Sequence, residues 1–151
     1  RYCELLKIGR EEGIRPTFEY ISFFKSVHTL NQAWEIVQRS GESDATLILD
    51  AFHNWNSEST LEDLRKIPVD RISHYHIDDA CPGKAPGSQT DPDRVMIGDG
   101  QIDLKAEIEV LREMGYDGTV SLELFNSEWW EKDPSETLKI GLERMKELFE
   151  K

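Results

Sequence analysis

Short apolar runs alternate along the chain with longer stretches in which apolar residues recur at helical spacing. The run ATLILDAF (45–52) is typical of a parallel strand buried on both faces, whereas TLNQAWEIVQRSG (29–41) places its apolar residues on one helical face. By the same criteria, further strands are predicted over 17–21, 71–78 and 119–125, and further helices over 2–12, 59–67, 102–115 and 133–151. The pattern predicts four βα units preceded by one helix.

Residues that favour helix ends lie at several of the predicted boundaries. Gly13, Gly41 and Gly115 directly follow amphipathic stretches, and glycine is favoured at this position because it readily adopts a positive φ. Asp133 and Pro134 suit the N-cap and the first position of the last helix. These local signals support the predicted order of elements.

Strands that alternate with helices predict a parallel α/β sheet with right-handed crossovers. Such a sheet is either open and doubly wound or closed into an eight-stranded barrel. The glycine-rich phosphate-binding patterns of open sheets are absent from the sequence, and the GDG at 98–100 lies in a long predicted loop. The sequence favours a (β/α)8, TIM-type barrel. Because such a barrel takes roughly 250 residues, the chain is predicted to form about half of one.

Composition narrows the classes of partner. The chain has 30 acidic and 18 basic residues and a formal charge of −12, which argues against a nucleic-acid partner. No apolar stretch approaches the roughly 20 residues of a membrane span, and no secretory leader is recognisable, so we expect no membrane partner and a cytoplasmic protein. Cys3 and Cys81 show no metal-binding spacing and are predicted to be free thiols.

Each predicted strand carries one ionisable residue near its carboxyl end, namely Glu19, Asp50, His76 and Glu123. Taken singly, such a residue is more often a solvent-facing residue of an edge strand. Their recurrence favours a shared site, because the active site of a barrel lies at this end of its strands. Clustered carboxylates repel one another unless a cation neutralises them. The set therefore predicts one divalent metal ion, with Mn, Zn, Co and Mg all suited to it.

The third strand ends in HYHIDDA (74–80). Residues two apart share a face of a strand, so His74 and His76 point the same way. His76, nearer the carboxyl end, is the candidate ligand, and His74 is predicted to be a packed, hydrogen-bonded interior histidine. Asp78 and Asp79 are predicted to form the turn that follows, and the less favoured alternative is that one of them orients a ligand or the substrate.

Several motifs together resemble the sugar phosphate isomerase/epimerase family of xylose-isomerase-like barrels. The nearest likeness is to inosose isomerases, with hydroxypyruvate isomerases and ketose 3-epimerases as cousins. The motifs occur in the family's order and are FEY, LILDAFH, HYHIDD, DPDRVMIGDGQIDL and VSLELF. The match covers the second half of the family barrel, so residues 1–151 are expected to be one partial domain, the C-terminal half of a (β/α)8 barrel.

The resemblance implies a function and assigns roles to residues. It implies a metal-dependent sugar or cyclitol isomerase or epimerase of inositol metabolism that removes a proton beside a carbonyl to form an enediolate. It implies that Glu19, Asp50, His76 and Glu123 are the metal ligands, that Glu19 and Glu123 are also the acid/base pair, and that His53 and Arg94 contact the substrate.

Three other functions remain open from the sequence. The first is a ketose epimerase. Enzymes of that kind carry an additional Glu near the place where this sequence has Lys25, so a cyclitol or short keto-acid isomerase is favoured over it. Apurinic-site endonucleases use a related barrel, and the pair Asp50 and His53 resembles part of their three-metal cluster; Val95 stands where they carry another histidine. A metal-binding module without catalysis is the third.

Four strands leave two exposed sheet edges, which natural proteins avoid. We therefore expect the chain to be completed either by the missing barrel half or by a second copy in a homodimer. The expected ligand is a small-molecule sugar or cyclitol.

Overall fold

The computed structural model of the chain describes residues 1–150; Lys151 lies outside the described residues. Strands and helices alternate through most of this range. The helices are α1 (Tyr2–Glu12), α2 (Leu30–Ser40), α3 (Ala51–Asn56), α4 (Leu61–Arg65), α5 (Leu104–Glu113), α6 (Ser127–Trp130) and α7 (Pro134–Phe149). The strands are β1 (Leu47–Asp50), β2 (Ile72–Ile77), β3 (Asp79–Ala80), β4 (Arg94–Val95) and β5 (Thr119–Leu122).

A parallel sheet with the order β1, β2, β5 forms the centre of the fold. Asp50 of β1 pairs with His76 of β2, and His76 pairs with Ser121 of β5. Paired residues lie side by side on one face of a sheet, so this register aligns the carboxyl ends of the three strands. The short strands β3 and β4 form a separate antiparallel pair.

The prediction of a regular strand over 17–21 is wrong. Within the described chain, this segment pairs through an isolated parallel bridge between Phe18 and Leu47. The Phe18 N–H donates to the Thr46 carbonyl (2.9 Å), and the Phe18 carbonyl accepts from the Ile48 N–H (2.9 Å). Pro16, just before the bridge, has no N–H to extend a ladder. The segment still runs alongside β1, so Glu19 lies at the same end of the sheet as Asp50.

The predicted helices are present, with ends set largely by the expected residues. Gly13 and Gly41 adopt left-handed φ values of 70° and 68° after α1 and α2. Thr29 forms a capping box at the start of α2, and the side chain of Asp133 accepts from two N–H groups in the first turn of α7. No helix within residues 1–150 is both long and apolar enough to cross a membrane.

The two faces of the sheet differ in burial. Leu49, Tyr75 and Ile77 point towards the helices and are completely buried. His74 lies on the opposite, inner face and is exposed, so the prediction of a packed interior histidine is wrong. The reason is that the inner face of the sheet stays open at the level of His74.

Candidate metal centre

Each of the four predicted ligands lies where a strand segment ends. Glu19 follows the Phe18 bridge, Asp50 is the last residue of β1, and His76 is the penultimate residue of β2. Glu123 directly follows β5, and its N–H donates to the Ile77 carbonyl at 3.3 Å. The structure brings the four side chains together: one ligand atom from each lies within 4.8 Å of the others.

The imidazole of His76 lies at the centre of the cluster. Its Nδ1 is 3.1 Å from Glu123 Oε2, 3.2 Å from Glu19 Oε1 and 3.9 Å from Asp50 Oδ2. The contacts with Glu123 and Glu19 raise the pKa of His76 to about 10. In this arrangement a single proton on His76 offsets part of the negative charge of the cluster, and a cation bound there would take over that role.

The donor set fits a divalent cation. His76 Nδ1 and Glu19 Oε1 are buried and 3.2 Å apart, yet neither atom has a partner in hydrogen-bond geometry, although buried polar atoms are normally hydrogen-bonded. Both atoms point into the same cluster. Three carboxylates with one imidazole form an oxygen-dominated ligand set that suits Mn, Mg, Co or Zn.

Arg94 is the first residue of β4. Its guanidinium lies next to the candidate ligands Asp50 and Glu123. The side chain is 1% exposed. Its Nη1 donates to Asp50 Oδ2 at 2.7 Å and also to Asp78, and its Nε donates to Asp91 Oδ1 at 3.1 Å. Glu123 Oε2 lies 3.7 Å from Nη1. Burial raises the pKa of Asp50, but the positive charge of Arg94 and the hydrogen bonds that Asp50 accepts together outweigh burial, so the pKa of Asp50 is lowered.

Negative charge outweighs positive charge in this region. His76 and Arg94 are accompanied by five carboxylates: Glu19, Asp50, Asp78, Asp91 and Glu123. Burial, together with the charge of Asp50, raises the pKa of Asp78 well above its usual range. A divalent cation would balance the remaining charge better than protonation of further carboxylates.

His53 lies next to this ion-pair cluster and is fully buried. Its backbone N–H donates to Asp50 Oδ1 at 2.9 Å. Burial lowers the pKa of the imidazole, so the ring is neutral and its Nε2 accepts from Arg94 Nη2 at 3.0 Å. Its Nδ1 lies 3.0 Å from Ser22 Oγ and 3.4 Å from the Ser22 backbone nitrogen. Both ring nitrogens are thereby engaged.

Aromatic rings cover both sides of Arg94. The Phe52 ring centroid is 4.7 Å from the guanidinium carbon, and that of Phe125 is 5.6 Å away. Phe52 is buried, whereas Phe125 is 41% exposed. The predicted substrate contacts of His53 and Arg94 stay predictions.

The two aspartates after β2 are both buried, and neither forms the predicted turn, since Asp79 begins β3. Asp79 organises the loop that contains the GDG sequence: its carboxylate accepts from the N–H groups of Gly98, Gly100 and Ile102 at 2.9–3.1 Å. Asp78 instead pairs with Arg94 inside the fold. The prediction of a turn-forming role for Asp78 is wrong because a long-range ion pair, sixteen residues apart, fixes its side chain.

Sequence reasoning missed Ser22 as a neighbour of the site and gave Asp78 a contact with the site only as the less favoured alternative. Ser22 follows the first strand segment at no recognisable spacing, and its hydroxyl also accepts from Asn56 Nδ2 at 2.8 Å. Lys25, which marked a departure from ketose epimerases, is exposed. Cys3 and Cys81 are free, as predicted.

The model of a known protein family, described as a xylose isomerase-like TIM barrel, matches residues 1–148. The chain belongs to the xylose isomerase-like TIM barrel family. This confirms the resemblance and the barrel-type α/β fold expected from the sequence.

Two relatives share the name inosose isomerase, and in both the matched region is about half of the protein. The chain is 35% identical over 149 residues to an inosose isomerase of Halalkalibacterium halodurans, covering 98% of this chain and 52% of the relative. An inosose isomerase of Bacillus licheniformis is 34% identical over 149 residues, covering 98% of this chain and 53% of the relative. The chain spans about half the length of these curated relatives.

A solved structure shows the same arrangement of elements. The crystal structure of the IOLI protein with a bound zinc atom superposes with a TM-score of 0.91 at 32% identity, covering 97% of this chain and 53% of that protein. A second structure, of an L-ribulose 3-epimerase, superposes with a TM-score of 0.66 at 22% identity and supports the fold alone.

Proposed function

We propose that this chain is the metal-binding half of a metal-dependent sugar or cyclitol isomerase, similar to inosose isomerase. The observation that carries the proposal is the convergence of one carboxylate or imidazole from each strand end on a single point. The identity to inosose isomerases supports the cyclitol class, and the zinc named in the similar crystal structure supports a divalent ion.

The exposures of the carboxylates suggest how their roles divide. Glu19 and Glu123 keep 27% and 28% of their side chains accessible, whereas Asp50 keeps 1%. Only the first two can reach a substrate from the open side of the sheet. Asp50 is held from behind by Arg94 and by the His53 N–H, which suits a fixed ligand.

The proposed reaction is a proton transfer beside a carbonyl. A divalent ion held by the four candidate ligands would supply Lewis-acid polarisation of that carbonyl. An Oε atom of either Glu19 or Glu123 takes the proton from the α carbon, which gives an enediolate. The other glutamate starts protonated and delivers its proton either to the opposite face of the same carbon or to the former carbonyl carbon; in the second case the hydroxyl proton of the α carbon passes to the former carbonyl oxygen. One glutamate gains a proton and the other loses one, so the total number of protons on Glu19 and Glu123 is unchanged.

Isotope exchange tests this assignment. Incubated with Mn²⁺ and an inosose in deuterium oxide, the chain is expected to catalyse exchange of the α proton. Glu19→Gln and Glu123→Gln should each slow the exchange by about 10²–10⁴-fold, because an amide cannot act as a general base. Mass spectrometry of the sugar, with metal analysis of each variant, provides the measurement.

Glu128→Gln provides the matched control, since Glu128 is exposed and lies five residues beyond Glu123. This variant should exchange at the wild-type rate. The proposal fails if the metal-loaded chain shows no exchange, or if both glutamine variants that retain metal exchange as fast as the wild type.

The geometry of His53 argues against a multi-metal nuclease. A histidine that binds an ion needs a free ring nitrogen, but both nitrogens of His53 face protein groups, Arg94 and Ser22. The ring therefore does not point at a second ion. This favours a single-ion isomerase over the endonuclease-like alternative.

We further propose that the other half of the family barrel covers the open sides of this chain. Apolar residues in α1, just after it and in α7, each more than half exposed, are Leu5, Ile8, Ile14, Leu138 and Leu142. Leu5 and Ile8 are three residues apart on α1, and Leu138 and Leu142 are four apart on α7, so each pair forms a local apolar patch. The relatives are about twice as long as the matched region, so a second barrel half is the natural occupant. A second copy of this chain would instead bring three more carboxylates into the same barrel mouth.

Solution mass tests the assembly. The isolated chain is expected to be monomeric in light scattering and to bind an apolar dye. Replacing Leu138 and Leu142 by Glu should reduce dye binding without changing the mass, because both lie on the exposed face of α7. A stable dimer of the wild type would contradict the proposal and would indicate that a second copy closes the barrel.

A further inference from the structure

Glu107 is a buried carboxylate outside the candidate metal centre. It lies on α5 between Leu104 and Ile108, on the helix face that packs against the sheet, and is 7% exposed. Buried carboxylates are rare unless they make specific hydrogen bonds. The side chain therefore needs partners within the core.

Two buried donors converge on this carboxylate. The Tyr75 hydroxyl donates to Oε2 at 2.5 Å, and Asn54 Nδ2 donates to Oε1. The Asn54 carbonyl oxygen in turn accepts from the Tyr20 hydroxyl. Tyr20, Asn54 and Tyr75 are each at most 4% exposed, so these hydrogen bonds form one network in the core.

The sequence neighbours of the network are the site residues. Tyr20 follows Glu19, and Tyr75 precedes His76. Successive side chains of an extended segment point to opposite faces, so each tyrosine faces the core while its neighbour faces the metal centre. Asn54 likewise follows His53, within the short helix α3.

We propose that Glu107 is a positioning residue: its carboxylate holds, from behind the sheet, the three segments that carry Glu19, His53 and His76. This inference rests on the proposed metal centre, whose ligands Glu19 and His76 would be fixed relative to each other in this way. A helix residue thus acts on the site through Tyr20, Asn54 and Tyr75, without touching substrate or metal.

The network needs polar atoms at position 107 that can pair with both Tyr75 and Asn54. Tyr75 and Asn54 both donate to Glu107, and an apolar residue would leave two buried donors without acceptors. Burial raises the pKa of Glu107 to about 7, opposed by the two hydrogen bonds. Glutamine has the same shape, keeps one acceptor and can donate to the Tyr75 oxygen, so it should preserve much of the arrangement.

The test compares Glu107→Leu, Glu107→Gln and Glu109→Leu. Glu109 lies on the same helix but is exposed, which makes it the matched control. Titration calorimetry with Zn²⁺ should show binding weakened on the order of 10-fold in Glu107→Leu, since lost support of metal ligands has effects of this size. Glu107→Gln should recover most of the affinity, and Glu109→Leu should match the wild type.

A second readout does not depend on metal. The imidazole NMR signals of His53 and His76 in the metal-free chain should shift in Glu107→Leu and stay in place in Glu109→Leu. If the wild type binds no Zn²⁺, the proposed function fails, while these signals still report on the positioning role. Unchanged histidine signals in a folded Glu107→Leu variant overturn the inference. If that variant does not fold, Tyr75→Phe, which removes a single hydroxyl from the network, takes its place in both measurements.

Discussion

Replacing His76 by alanine is expected to weaken the binding of Zn²⁺ or Mn²⁺ by more than about 100-fold, because loss of mere support for a ligand already costs about 10–100-fold. His76 Nδ1 lies within 3.9 Å of a carboxylate oxygen from each of the other three candidate ligands. Without the imidazole, only mutually repelling carboxylates remain. Calorimetric titration of the chelator-treated chain measures the change.

His74→Ala is the control for this experiment. His74 lies on the same strand and the same face as His76, two residues away, but is exposed. It should leave metal affinity unchanged. Equal loss of metal in the two variants would show that the ion binds elsewhere.

The same titration on His53→Ala separates two metal chemistries. The backbone N–H that supports Asp50 remains in this variant, so a single-ion centre should keep its metal while turnover falls. Loss of metal equal to that in His76→Ala would favour the multi-metal nuclease.

Replacing Arg94 by methionine is expected to destabilise the metal-free chain by about 3–5 kcal/mol, the usual cost of removing one partner from a buried ion pair. Arg94 is 1% exposed and neutralises the buried carboxylates of Asp50 and Asp78. Methionine fills similar space but leaves both acids without a cation. Denaturant unfolding in the presence of a chelator provides the free energy of unfolding.

Arg65→Met is the matched comparison. Arg65 contacts Glu62 and Glu113, each at 3.0 Å, but its side chain is 38% exposed. Water screens such pairs, so this change should cost less than about 1 kcal/mol. If Arg94→Met were no more destabilising than Arg65→Met, the buried ion pairs would not be essential to the fold.

Local signals in the sequence were sufficient for most of the secondary structure. Gly13 and Gly41 end helices because glycine tolerates a positive φ, and Thr29 and Asp133 begin them because their side chains accept from free N–H groups. These effects act within one helical turn. The strand over 17–21 was predicted wrongly because strand formation depends on a neighbour elsewhere in the chain, and here only Phe18 pairs.

The grouping of the candidate ligands was also predictable, for a topological reason. Parallel strands align their carboxyl ends, so the strand-end residues Glu19, Asp50, His76 and Glu123 had to lie near one another once the order of elements was known. Their approach to within 4.8 Å also depends on the register of the sheet, which only the structure gives.

Only the tertiary structure decided what surrounds these residues. Arg94 meets Asp50 across 44 positions of sequence, and Glu107 meets Asn54 across 53. The family resemblance implied a substrate contact for Arg94, whereas the sequence pattern gave Glu107 no role and placed His74 inside. Burial and long-range pairing depend on which elements pack together, and residue type at a single position does not encode this. The sequence by itself therefore determined the order of elements and the residues at the strand ends, whereas packing determined which charges are buried, paired or left facing solvent.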